Sequence, residues 1–218
     1  VFRCNFGIEL ASEAAGGFTD FITVRSNLVH HNQIAGLIMG GYDRLRGQTQ
    51  NCDISKNTFY RNDTLVKWTG QIALQFYVSQ CSFRNNIVWA NSTTKQMWLH
   101  YPGDDQASSA QNEIGSGVTL DYNRYFCSTG SATNLEFGLF KNGAQRYHST
   151  LQDWKTSANG LLSDANSTYG TPGFAVPTPA EPPVSPTLSD LPSIRASFAL
   201  TATSPATQVG DPNALMVQ

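Results

Sequence analysis

The stretch TVRSNLVHHN, residues 23–32, decides the fold because the chain returns to it. DISKNTFYRN at 53–62 and SFRNNIVWAN at 82–91 repeat its pattern: an apolar residue, Asn three positions on, and Asn five further. Aligned on the apolar residue, the copies place Val24, Ile54, Phe83 and Leu120 in one column. The first Asn falls at Asn27, Asn57, Asn86 and Asn123. The second falls at Asn32, Asn62 and Asn91, with Ser128 in the fourth copy. The spacings of 30, 29 and 37 residues put an insertion in the fourth copy, where YPGDDQASSAQNEIGSG stands. A period of this length is the signature of stacked units.

Working outward, each copy carries a second strand-like stretch: FGIELAS, AGLIMGG, GQIALQF and KQMWLHY. Alternation of apolar residues with period two predicts strands, not helices. Strands this short cannot bury a face alone, but stacked on their copies they can. Equivalent residues of successive parallel coils lie about 4.8 Å apart. Asn side chains at that separation hydrogen-bond in a ladder and tolerate a left-handed bend. The asparagines are therefore read as structural, and the chain as an all-β parallel solenoid of four to five coils.

Composition narrows the function. Charged residues make up 14% of the 218 and the net charge is −2, which does not fit a nucleic-acid footprint. No apolar run reaches the roughly 18 residues of a membrane span. Sixteen Asn and three sequons, at Asn62, Asn91 and Asn166, read as a secreted chain. Asn166, in a polar loop, is the expected glycan acceptor, while Asn62 and Asn91 are ladder positions. Cys52 and Cys81 share one register position a coil apart. Parallel Cβ vectors suit a disulfide poorly, so free buried thiols are expected.

The stretches GIELASE, AGLIMGGYD, VRSNLVHHN and LDYNRYF resemble the secreted right-handed parallel β-helix proteins of the pectate-lyase-like superfamily. TLQDWKTSANG, TPGFA and SFALTATSPATQVGDP are similar to that family's C-terminal cap. The resemblance implies coils over residues 1–148 and a cap over 149–218. The cap would contain one short helix near 149–158 and a Pro-rich strap from Thr171 to Pro192. Family members carry further N-terminal coils, so the first coil here is expected to be covered by such coils or by an end-to-end partner. The superfamily hosts lyases, hydrolases and non-enzymatic adhesins, so the reaction rests on the site.

Register stacks Glu9, Ile38, Ala73 and Trp98 in one outward column and Ala11, Gly40, Gln75 and His100 in the next. Beyond them stand Glu13, Asp43, Arg44, Arg46 and Tyr101. Aromatic faces and Arg forks suit a polysaccharide, so Arg44, Arg46, Gln75, Trp98, His100 and Tyr101 are the candidate binding residues. β-Elimination from a uronic acid needs a base and a cation to stabilise the enolate. Lys67 as base, with Arg44 or Arg46 as the cation, meets that need. Glu9, Glu13 and Asp43 could instead act as a glycosidase pair or hold calcium. The expectation is an acidic-polysaccharide lyase or hydrolase; the alternative is a non-enzymatic adhesin, sugar-binding module or stacking subunit.

Overall fold

The computed structural model describes residues 1–43, 45–66, 69–100, 117–141, 144–156 and 164–208. Strands dominate, and they form four sheets, each of which draws one strand from successive repeats. The first sheet holds Phe6–Ser12, Ala35–Gly41, Ile72–Leu74, Gln96–His100 and Glu136–Lys141. It is closed by Ala144–His148, which pairs antiparallel. The second holds Thr19–Asp20, Thr49–Gln50 and Val78–Ser79; the third holds Thr23–Arg25, Asp53–Ser55, Ser82–Arg84 and Thr119–Asp121. The fourth runs through Leu28–His30, Thr58–Tyr60, Ile87–Trp89, Arg124–Phe126 and Thr168–Tyr169. All pairing in the last three sheets is parallel. Val24, Ile54, Phe83 and Leu120 stand in register as the repeat predicts. Their side chains are buried together with Leu37, Met39, Ile72 and Leu74 in one core.

The bends between strands have a fixed chemistry. Ser26, Lys56, Asn85 and Tyr122 all take φ between 56° and 58°, and Phe21, Asn51 and Gln80 form a second such column at 50° to 54°. The left-handed residue is thus the one before the ladder asparagine, not the asparagine itself. Each Asn supplies hydrogen bonds instead. The Nδ2 of Asn27, Asn57 and Asn86 donates to the Oδ1 of the next repeat's Asn at 3.1 Å. Their backbone N–H groups reach the same acceptors at 3.0 Å. Asn123 ends the column by donating to Ser167 Oγ at 2.6 Å and to Asp164 Oδ1 at 3.4 Å.

The second ladder departs from its expected course. Asn32 donates to Asn62 Oδ1 at 2.8 Å, but Asn62 then donates to Gln71 Oε1 at 2.9 Å. Gln71, one methylene longer, reaches back into the slot that the sequence assigns to Asn91. Asn91 instead donates to the Asp63 backbone carbonyl of the preceding repeat and accepts from the nearby Thr93 N–H.

The C-terminal third closes the fold. Leu151–Thr156 forms the expected helix and buries Leu151 and Trp154. Two more helices, Leu191–Ser197 and Pro205–Gln208, and a 3-10 turn at Leu188–Asp190 exceed the single helix expected. Proline explains them: Pro192 and Pro205 stand in first turns, where a fixed φ helps and no N–H is missed. The Pro-rich stretch packs as a strap on the outer side of the fourth sheet. Phe174 and Phe198 close over Tyr60 and Trp89. Pro179 and Pro182 are buried three residues apart, the period of a polyproline helix. The Pro179 carbonyl accepts from Tyr60 Oη at 2.8 Å, and that of Pro182 accepts from Arg3 at 2.8 Å.

Under this strap His30 and His31 are both buried, with their Nδ1 atoms 3.0 Å apart. Cys52 and Cys81 are free, buried thiols, each bonded to the backbone carbonyl two residues earlier at 3.1 Å. Burial raises the Cys81 thiol pKa to about 12, which leaves it inert.

Candidate functional site

The first sheet does not present the groove expected of it. Glu9 is exposed, but Ile38, Ala73 and Leu99 follow it in register and are buried with Phe6 in a small apolar column. Trp98 pairs with Ile72, one position away from the expected Ala73. That slip turns the indole inward, where it is 1% exposed and packs edge-on to Phe83 at 5.0 Å. Trp98 is a core residue, not a sugar contact. The same slip places His100 opposite Leu74 rather than Gln75. Gln75 is half-buried and its N–H donates to the Met39 carbonyl at 2.7 Å.

Asp43 and Arg46 do come together, but with each other. Arg46 Nη2 lies 2.5 Å from Asp43 Oδ2, and its guanidinium stacks on Tyr42 at 4.2 Å. Asp43 also accepts the Leu45 N–H at 2.8 Å. The bond from Arg46, then that from Leu45, holds the Asp43 carboxyl below the usual range. A carboxylate so committed stabilises a turn and is poorly placed to take up a proton. Glu13 is exposed just past its strand. Lys67, Arg44, Tyr101 and the His100 side chain lie outside the described residues. Among the described residues no group of three or more His, Cys, Asp or Glu side chains is placed to hold a metal ion, calcium included.

The third sheet carries what the first lacks. Its inward residues are Val24, Ile54, Phe83 and Leu120, so alternation sends their neighbours outward. One outward column reads Thr23, Asp53, Ser82 and Thr119; the other reads Arg25, Ser55, Arg84 and Asp121. Asp53 accepts from Ser82 Oγ at 2.7 Å and Ser55 Oγ at 2.9 Å, and Arg84 Nε lies 3.5 Å from it. Asp121 accepts from the Asn166 N–H at 2.7 Å, Asn166 Nδ2 at 2.8 Å and the Tyr122 N–H at 2.9 Å. Between Ser82–Arg84 and Thr119–Asp121 lies a pocket of about 300 Å³ bordered by Tyr122.

These residues were in plain view in the sequence as TVR, DIS, SFR and TLD, each a polar residue on either side of an apolar one. Such a pattern marks any strand with one face to solvent, so by itself it does not single out a site. One carboxyl elsewhere is perturbed. Asp164 is buried, which raises its pKa, although Tyr125, Trp154, Asn123 and Ser167 all donate to it. It sits at the end of the ladder, away from any open surface, and its role is to close the last repeat.

No protein-family model matches the chain, and no solved structure does. An uncharacterized protein of Bacillus subtilis (strain 168), YwoF, is 37% identical over 118 residues. The match covers 54% of this chain and 24% of YwoF, so it spans about a quarter of that relative's length.

Proposed function

We propose that the chain is a right-handed parallel β-helix of the pectate-lyase-like kind, acting outside the cell, and that its third sheet binds an extended acidic polysaccharide. The solenoid reading is supported by the order of the sheets: in each of the first three repeats the chain visits them in the same sequence. Right-handedness follows from the general preference of parallel crossover connections.

The observation that carries the binding reading is the pair of in-register outward columns from Thr23 to Asp121. They offer hydroxyls, carboxylates and guanidinium groups at a constant repeat of about 4.8 Å. A linear polymer laid across the coils meets a polar group on each one, though Ser55 is itself buried. Arg84 supplies the fork that favours uronate carboxylates over neutral sugars.

Binding is favoured over turnover because both face carboxylates are already held. Asp53 and Asp121 each engage several hydrogen-bond donors or cations. Affinity electrophoresis through gels containing polygalacturonate or alginate tests the reading. Retardation is expected for the unmodified chain and a weaker effect for Arg84→Ala; no retardation in any acidic polymer overturns it. Assays of the same mixtures for unsaturated uronates and reducing ends separate a binding module from a lyase or hydrolase.

A further inference from the structure

Tyr122 is out of place as a bend residue. The four bends of its column require a left-handed backbone, and the other three carry Ser26, Lys56 and Asn85. A bulky aromatic residue is disfavoured in that conformation, where Gly or Asn fits best. Tyr122 nevertheless stands there, half-buried, at φ 56°. Its backbone is fixed by the N–H bond to Asp121 Oδ1, and Asp121 is itself anchored by Asn166. Phe21 and Tyr77 share this conformation, so the backbone alone does not mark Tyr122; what sets it apart is the pocket beside it.

Tyr122 and Arg84 both line the pocket between the last two strands of the third sheet. The Arg84 side chain is 46% exposed and its contact with Asp53, at 3.5 Å, is long for an ion pair. It can turn towards a ligand without leaving a buried charge behind. Ser82, Phe83, Thr119, Leu120 and Asp121 complete the lining, and the Asp121 carboxylate is already engaged by Asn166 and the Tyr122 N–H. A volume of about 300 Å³ is at the lower end of small-molecule sites and suits one sugar ring.

Resting on the binding reading of this face, we propose that the pocket is a single-ring subsite in which Tyr122 is the stacking platform and Arg84 selects an anionic sugar. The aromatic face covers the apolar side of the ring, and the guanidinium meets its carboxylate.

The test compares the unmodified chain with Tyr122→Gly, Tyr122→Phe and Arg84→Gln. Titration calorimetry with polygalacturonate and with neutral galactan is paired with thermal unfolding of each variant. Tyr122→Gly should unfold at or above the unmodified temperature, because glycine relieves the left-handed bend, yet bind at least tenfold more weakly. Tyr122→Phe should keep the affinity. Arg84→Gln should lose most of the preference for polygalacturonate over galactan. A merely structural tyrosine predicts the opposite for Tyr122→Gly, a lower unfolding temperature with affinity unchanged, and that result overturns the proposal. So does a Tyr122→Phe variant as weak as Tyr122→Gly, which would assign the effect to the hydroxyl rather than the ring. Binding of neither polymer by the unmodified chain removes the reading of the whole face. Unmodified binding with full affinity in Tyr122→Gly removes this subsite alone.

Discussion

At the scale of single residues, the middle of the asparagine ladder should matter more than its start. Asn57 receives two N–H bonds from Asn27 and gives two to Asn86, whereas Asn27 only gives. Asn57→Leu strands buried partners on both sides, at about 1–3 kcal/mol for each unsatisfied group. Asn27→Leu strands fewer, so urea midpoints should rank Asn57→Leu below it. The histidines set a pH dependence. Burial above all, with repulsion from His31 and the N-terminal ammonium, lowers the pKa of His30 to about 3. Burial, offset by Glu181 and reinforced by Arg61 and Arg3, lowers that of His31 to about 4. Both are neutral in the fold but take protons near pH 6.5 when unfolded. The unfolded chain therefore binds more protons between these values, and stability should fall as pH drops from about 6.5 to 4. A double variant, His30→Phe with His31→Gln, should flatten that slope in urea titrations at pH 7, 5 and 4.

At the scale of elements, the strap is the part most open to test. It is held by Phe174 and Phe198 against Tyr60 and Trp89 and by few hydrogen bonds. Phe198→Ala should destabilise the chain by about 3–5 kcal/mol if the strap stays in place. Lower values, with protease cleavage confined to residues 171–187, would show that the strap detaches by itself. Elements also show how far the sequence could be read. Strand positions and the register of the third sheet were legible, because Val24, Ile54, Phe83 and Leu120 are apolar residues spaced by a nearly constant period. The register of Trp98 was not. The stretch before it differs in length from the earlier repeats, and one residue of slip turns a side chain to the other face. Gln71 was invisible for another reason: it enters a ladder from nine residues after Asn62, where the repeat supplies no alignment. The polar face of the third sheet was legible in composition but not in arrangement, since only the structure brings Arg84, Asp121 and Tyr122 around one pocket.

Across the whole molecule, surface and interior sort the modification sites. Asn62 is fully buried and bonded to Asn32 and Gln71, so a glycosylating host should leave it bare. Asn166 is exposed, but its amide donates to Asp121, so a glycan there must displace that bond. Peptide mass spectrometry should find Asn166 occupied only in part and Asn62 not at all. The first ladder spans the same distance, and its bonds from one Asn side chain to the next all run one way. From Asn27 to Asn86, each carboxamide turns its oxygen towards the earlier repeat or solvent side and one N–H towards the next Asn, while its other N–H donates to an earlier backbone carbonyl, that of Arg25, Val24 or Ile54. Aligned amide dipoles add, so the column is an electrical axis whose positive pole lies at Asn123. The acceptors at that pole are Ser167 and the buried carboxyl of Asp164. The field of the stack and the four donors to Asp164 act against the burial that raises its pKa. The last repeat is thus closed by polarity as well as by packing, and Asp164→Asn, which sets an amide NH2 group against two of the four donors, should loosen that closure and lower the unfolding temperature.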